Sequence, residues 1–332
     1  MKHGAYLTLV PMLHLRVVCA SSVSASVFAF LESEPGVAHL VVTHGVSRRP
    51  VGDVIEAAVA REVAEDVLRR LTELGVPRQG AMSLQPIDAM VSDTADAAER
   101  AAPGRGADAV IWEELVATTG EESQLNPVFL GFLTIACLLA AVGVITDSAI
   151  TLVGAMVVSP DFGPLAALAV SVVGRRGRLG ARAGLALCVG FPLAMLVTAA
   201  LALLARAGGI FEPGDLSGLR QAAFIYEVGP YSIVLALLAG AAGMVALTSE
   251  KPGALIGVFI SVTTVPAAGF AALATVAGYW SRFGEAAIQL LINLAGVALA
   301  GTLTLLVRRR HIVPGAHTAT DWLRHAPKRH AR

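Results

Sequence analysis

Apolar and polar positions follow different patterns in the two parts of this chain. From Met1 to Gln124, apolar residues alternate with polar ones or recur at helical spacing, whereas from about Pro127 to Val307 the chain is mostly Leu, Ala, Val and Gly. Long apolar runs are typical of membrane helices, and the mixed pattern is typical of a soluble domain. The sequence therefore predicts a soluble domain at 1–92, a linker and connecting helix at 93–126, a transmembrane domain at 127–310 and a basic cytoplasmic tail at 311–332.

The N-terminal part reads as short strands and helices in a defined order. Apolar positions Val63, Val67 and Leu71 recur at helical spacing, and Gly75 ends that helix. The order strand, helix, strand, strand, helix, strand predicts an α+β domain of the ferredoxin-like (βαββαβ) type. The predicted strands are 13–19, 37–44, 51–60 and 80–87, and the predicted helices are 21–30 and 61–74.

The C-terminal part contains six apolar segments, each close to the roughly 20 residues that a membrane-spanning helix needs. A polytopic α-helical membrane protein with about six transmembrane helices is therefore expected. The segments are 128–145, 148–174, 181–204, 231–247, 252–278 and 285–307.

Two stretches of the membrane part resemble each other. Residues 138–170 and 237–275 each contain an apolar run, a short polar break and a second apolar run that is interrupted by proline. The repeats extend over about 128–206 and 231–308, so each holds three segments. An odd number of spans inserts the second copy from the opposite side, which predicts a 3+3 inverted repeat of the kind found in secondary transporters.

Arginines predict the orientation in the membrane. Four of them lie between Gly174 and Arg182, and three more begin at Arg308. Cytoplasmic loops are enriched in Lys and Arg, and the N-terminus has no signal-peptide pattern. Six spans then leave both termini in the cytoplasm of a multi-pass cell-membrane protein, with the loop 207–229 outside. If 148–174 were a re-entrant hairpin instead, the four-arginine loop would lie outside.

The middle segment of each repeat is broken. Pro160, Gly163 and Pro164 interrupt the first and Pro266 the second, so regular helical hydrogen bonding cannot continue through these positions. Backbone groups released in a bilayer need partners in protein or in a water-filled cavity. The two breaks are therefore expected to form one site near the middle of the membrane.

Polar residues at the breaks are the candidate ligands of that site. Ser159 and Asp161 lie at the first break, and Thr263 and Thr264 precede the second proline. Because a carboxylate at this depth is costly unless it is paired or hydrated, we expect Asp161 to bind a cation or a proton. The alternative is that Asp161 caps the second half of its helix.

Asn293 is a further candidate, in the last segment. It lies one turn after Gln289 in an otherwise apolar helix. An amide in this position can form an interhelical hydrogen bond or line the site of the transported species. The sequence leaves both interpretations open.

Composition limits the remaining functions. The chain is 55% hydrophobic with zero formal net charge, and its three cysteines are isolated. Its mean hydropathy is +0.68. These values do not favour nucleic acid, a structural metal or another cofactor as a partner. No nucleotide-binding loop and no hydrolase or zinc-protease motif is present, so an enzyme is not expected.

The membrane part resembles an uncharacterised bacterial and archaeal membrane family, the domain of unknown function 389. The resemblance rests on Gly154-Ala155-Met156, Ser159-Pro160, Gly163-Pro164, the helix from Gly257 to Pro266 and the helix of Asn293, with weaker similarity at Val59-Ala60-Arg61-Glu62 and Trp112-Glu113. Many members carry an apolar residue at the position of Asp161, so the resemblance implies that an ion role there belongs to a subgroup. It implies no established activity or substrate.

Two functions follow as expectations. The first is a secondary transporter or channel for a small solute or ion in the lipid bilayer, with the soluble domain as a regulator. The second is a membrane-anchored sensor whose soluble domain binds a small ligand or a protein. The sequence leaves open whether the chain forms a homo-oligomer.

Overall fold

The computed structural model describes residues 12–87, 90–102, 112–216, 219, 229–249 and 263–312. The chain divides into two compact units. The first comprises residues 1–115 together with 248–250, and the second comprises the remainder. The predicted tail from residue 313 onward, the loop residues 217–218 and 220–228 and residues 252–262 of the predicted segment 252–278 lie outside the described residues.

The first unit is built on a four-stranded antiparallel sheet. Its strand order is β2-β3-β1-β4, with β1 in the middle, where Leu15 pairs with Ala57 on one side and Leu84 on the other. All the predicted strands and helices are present, with ends that differ by up to four residues. The elements are β1 (Met12–Ala20), α1 (Ser21–Ser33), β2 (Val37–Arg48), β3 (Val51–Ala60), α2 (Arg61–Glu73), α3 (Val76–Gln79), β4 (Gly80–Pro86) and α4 (Asp93–Ala101).

Helix α4 lies within the predicted linker. Ser92 caps it by accepting a hydrogen bond from the backbone N–H of Ala95, and Asp93 and Asp96 lie in its first turn, where carboxylates favour a helix. Ala95 and Ala98 are buried in the hydrophobic core of this unit. This helix is therefore part of the first unit, and its small alanine face offered only a weak apolar pattern in the sequence.

The second unit is helical. Among its described residues, four helices are long and apolar enough to cross a membrane, or five if the bent pair α7–α8 counts as one span. Its elements, with α5 beginning in the first unit, are α5 (Trp112–Glu122), α6 (Pro127–Ile145), α7 (Ala149–Val158), α8 (Phe162–Val173), α9 (Gly177–Ala207), α10 (Pro230–Leu247), α11 (Thr264–Ala277) and α12 (Trp280–Ile312).

Helices α8 and α11 form the interior of this unit. Almost every residue in both is buried, including the alanines and glycines that allow close packing. In α11, a side chain at Gly269 would come within 3.0 Å of the backbone of Cys137 and Ala141 in α6. The long helices instead expose apolar faces, as expected for helices that contact lipid. Helices α8 and α11 are thus surrounded by the long helices.

Candidate functional site

The two interior helices begin in the same way. Each has proline at its third position, Pro164 in α8 and Pro266 in α11, and each is preceded by a polar residue, Asp161 or Thr263. Proline has no N–H, so it reduces the number of donors that a helix start leaves without an intrahelical acceptor. The similarity expected between the two breaks therefore extends to the start of the helix in each.

Asp161 links the first break to the start of α11. Its carboxylate is 5% exposed. Oδ1 accepts a hydrogen bond from the Ser159 hydroxyl at 2.6 Å, and Oδ2 accepts one from the Thr264 hydroxyl. The Asp161 side chain makes no hydrogen bond to the amides of its own helix, so the geometry differs from the capping alternative.

A second set of hydrogen bonds joins α11 to α12. Asn293 Nδ2 donates to the hydroxyl of Thr263 at 2.7 Å, and Gln289 Nε2 donates to Asn293 Oδ1 at 3.4 Å. These two hydrogen bonds fix the orientation of both side-chain amides. The Asn293 nitrogen faces Thr263, so the Asn293 oxygen must face a donor, which is the Gln289 nitrogen. It leaves Gln289 Oε1 buried without a partner among the described residues.

The two sets meet at the adjacent residues Thr263 and Thr264. One hydroxyl accepts from the amide of α12, and the other donates to the carboxylate before α8. All five predicted ligand candidates therefore lie in one buried polar network, and Gln289 extends it. The network comprises Ser159, Asp161, Thr263, Thr264, Asn293 and Gln289.

The electrostatics around Asp161 leave its charge without a full counter-charge. No ion pair to Asp161 is present in the described part of the chain. The starts of α8 and α11 supply only partial positive charge, about half an elementary charge per helix. The last carbonyls of α7, which ends at Val158, supply partial negative charge at the same break. This combination can hold a cation or a proton.

A cavity of about 340 Å³ lies against the first break. Ser159, Pro160 and Gly163 form one wall, and Glu122 at the end of α5 forms part of another. A Cβ at Gly163 would lie 2.6 Å from Glu122 Cβ and 2.8 Å from its Oε2, so only glycine admits the glutamate here. The Glu122 side chain is solvent-accessible, yet the surrounding protein desolvates it enough to raise the pKa of its carboxyl.

Sequence reasoning missed Glu122. The sequence assigned this residue only to the linker and connecting helix at 93–126. The spacing of only five residues between Glu122 and the first membrane helix was the available signal. Within the described residues, no group of three His, Cys, Asp or Glu could hold a metal ion.

Comparison with known proteins finds similarity over the part of the chain that carries this site. An uncharacterised protein of Methanocaldococcus jannaschii is 26% identical over 191 residues, which cover 58% of this chain and 57% of that protein. The chain thus spans little more than half the length of this curated relative. No solved structure shows a significant match. Residues 156–299 match the family model described as domain of unknown function 389, the family that the sequence resembles.

Proposed function

We propose that the protein is a secondary transporter or channel for a small solute or ion in the cell membrane, and that Asp161 binds a cation or a proton at the two breaks. The observation that carries this proposal is the buried Asp161 carboxylate, bridged by hydroxyls from both breaks and lacking an ion pair within the described residues. Unbalanced charge at membrane depth is costly and marks ion pathways and proton relays. Transport is therefore proposed rather than catalysis.

The proposed arrangement is the 3+3 inverted repeat with cytoplasmic termini. Helices α7 and α8 are bent by 51°, so α8 continues in the general direction of α7. At 1.5 Å per residue the pair covers about 26 Å along α7, close to the hydrocarbon thickness of about 30 Å. A re-entrant hairpin needs a larger reversal, which favours a spanning segment.

Segment 252–278 is proposed as the second broken span. Arg206, in the last turn of α9, donates a hydrogen bond to the carbonyl of Val276 at 2.6 Å. The C-terminal ends of α9 and α11 are therefore adjacent, as required if both helices run toward the outer side. This contact supports the repeat without depending on the residues before Thr263.

The N-terminal unit is proposed to be a ferredoxin-like regulatory domain in the cytoplasm. The strand order β2-β3-β1-β4, with every neighbouring pair antiparallel, is the support for that fold. Because this fold serves many purposes, its role as a regulator rests on its attachment to the membrane unit.

Ion flux through the reconstituted full-length chain tests the function. Sodium flux is followed with a radioactive tracer and proton flux with an enclosed pH-sensitive dye. Asp161→Asn keeps the shape of the side chain and is expected to abolish most cation flux. The matched control is Asp147→Asn, in the turn between α6 and α7, which should leave flux unchanged. Equal flux in the wild type and Asp161→Asn would contradict the ion-site proposal.

Cysteine labelling on intact cells tests the topology. Single cysteines replace Gly177, at the start of α9, or Gly214, after its end, in a chain whose native cysteines are replaced by serine. Both positions are open, with no atom within 4 Å of an added Cβ. An impermeant thiol reagent should label position 214 and spare position 177. Labelling of 177 would support a re-entrant segment.

A further inference from the structure

The cavity beside the first break has walls suited to a particular kind of ligand. Three phenylalanines line it: Phe129, Phe132 and Phe162. Two of them, Phe129 and Phe162, are themselves buried, which fixes their rings in place. At about 340 Å³, the cavity is at the small end of the range of about 300–1,000 Å³ for small-molecule sites.

The polar groups of the cavity are acidic or neutral. The carboxylates of Glu121 and Glu122 line it together with Asn126, and none of its lining side chains within the described residues is basic. Neither carboxylate forms an ion pair in the part of the chain that the structure describes. An anion would therefore be repelled, and a cation would find two glutamates and three aromatic side chains.

The cavity is adjacent to the proposed ion site. Ser159 lines the cavity, is itself 7% exposed and donates its hydroxyl hydrogen to Asp161 Oδ1. The hydroxyl thus separates the cavity from the buried carboxylate by one side chain. Gly163 also lines the cavity, and because it has no side chain, Glu122 can approach the break.

We propose that this cavity binds a small organic cation of the alkylammonium class, as the substrate of the proposed transport function. Aromatic rings attract quaternary and other alkylammonium groups by cation–π interaction and also bury their methyl groups. The two glutamates compensate the charge, and Asn126 can accept a hydrogen bond from a substituent. A bare metal ion would leave the aromatic walls without a role. The transport part of this inference rests on the proposed function, whereas the binding part does not.

Binding of choline to the purified full-length chain, measured by isothermal titration calorimetry, tests the proposal. The matched probe is 3,3-dimethyl-1-butanol, which has the same shape and no charge. Choline should bind, and the neutral analogue should bind at least about tenfold more weakly, the factor that corresponds to 1.4 kcal/mol. Equal affinity for the two probes, or binding of neither, would overturn the proposal.

Variants assign the binding to this cavity. Glu122→Gln should weaken choline binding, and Glu121→Gln combined with Glu122→Gln should abolish it. The control Glu32→Gln changes an exposed glutamate of α1 and should bind choline as the wild type does. Unchanged affinity in the double variant would overturn the proposal.

Gly163→Ala tests the geometry without altering charge. The added methyl group must displace Glu122, so choline binding should weaken while both carboxylates remain. Unchanged choline affinity in a folded Gly163→Ala protein would contradict the assignment of Gly163 and Glu122 to the binding cavity. Choline binding that survives in Asp161→Asn while cation flux is also unchanged would remove the ion-site proposal and leave the cavity assignment intact.

Discussion

Two aspartates, Asp53 in the sheet of the first unit and Asp161 before α8, are equally buried at 5% exposure but have different partners. Asp53 Oδ1 accepts a hydrogen bond from the backbone N–H of Gly45 at 2.9 Å, and its Oδ2 lies 3.1 Å from His44 Nδ1. The Asp161 carboxylate accepts hydrogen bonds from the hydroxyls of Ser159 and Thr264. Asp53 is thus held by a set that includes a backbone amide and a histidine ring, whereas Asp161 is held by two hydroxyls.

The partners of Asp53 explain its role. Hydrogen bonds from the Ser24 hydroxyl, the Gly45 amide and the His44 ring lower the pKa of Asp53 to about 2. A carboxylate stabilised in this way contributes to folding and needs no further ligand. Asp161 lacks such a set, so burying its charge calls for a proton or a cation from outside the chain. The difference between the two sites supports the proposal that Asp161 is the functional one.

Removal of a donor to Asp161 is expected to have the largest effect on stability. Thr264→Val keeps the shape of the side chain but leaves the carboxylate with the Ser159 hydroxyl alone. Hydrogen bonds to charged groups contribute about 1.5–3 kcal/mol, so unfolding in detergent should become easier by about that amount. Thr302→Val is the control, because its hydroxyl bonds only to Ala298 in its own helix. Equal losses in the two variants would contradict the special role of Thr264.

The same substitution at the two aspartates should act in opposite directions. In sodium-free buffer near neutral pH, Asp161→Asn removes an uncompensated buried charge and should raise unfolding stability by about 0.5–2 kcal/mol, the usual gain when a functional strain is relieved. Asp53→Asn removes the carboxylate charge that the partners of Asp53 stabilise, so this variant should be less stable than the wild type. Thermal unfolding of the two full-length variants measures this. Loss of stability in Asp161→Asn would show that the charge of Asp161 stabilises the folded protein, which contradicts this expectation.

The contribution of Asp53 should depend on pH in a defined window. Its pKa is about 2 in the folded protein against 3.8 for an ordinary aspartate, so its stabilisation is complete above pH 3.8 and is lost as pH falls toward about 2. Hydrogen exchange of the β3 amides in the full-length chain, compared between the wild type and Asp53→Asn, reports this. Protection should differ near pH 5 and become equal near pH 2, and a difference that persists at pH 2 would contradict the assignment.

Gln289 should give the smallest change. Its Oε1 has no partner among the described residues, so Gln289→Leu removes an unsatisfied acceptor along with one long hydrogen bond. These effects are expected to cancel to about zero. Asn293→Leu instead removes the bond to the Thr263 hydroxyl at 2.7 Å and should cost about 1–3 kcal/mol. Chemical unfolding of both variants checks this, and a large loss in Gln289→Leu would indicate a missing partner.

Regular patterns made much of the fold predictable. Strand β1 was expected at 13–19 and spans Met12–Ala20, because its alternating apolar residues face the core. The polar residues of the site were also predictable, since Asp161 and Asn293 stand out in apolar segments. The sequence could not show that Thr264 rather than Thr263 meets the carboxylate. That choice depends on where α11 begins, and a shift of one residue turns a side chain by about 100°.

The remaining features depend on contacts between distant residues. Glu122 reaches the first break only because Gly163 leaves room for it, and no local pattern encodes that approach. The hydrogen bonding of Asp53 likewise depends on the irregular pairing of β2 with β3 between Thr43 and Ser47, the stretch that contains His44 and Gly45. Such pairings become visible only when the elements are packed.

Cation binding at Asp161 is tested most directly by the unfolding temperature of the purified full-length chain, measured against sodium concentration and pH at constant ionic strength. A ligand that binds only the folded state raises this temperature with its concentration. The unfolding temperature of the wild type is expected to rise with the concentration of sodium or of protons. Asp161→Asn should lose this rise, and Asp147→Asn should keep it. The same response in the wild type and in Asp161→Asn would contradict the assignment of Asp161 as the cation site.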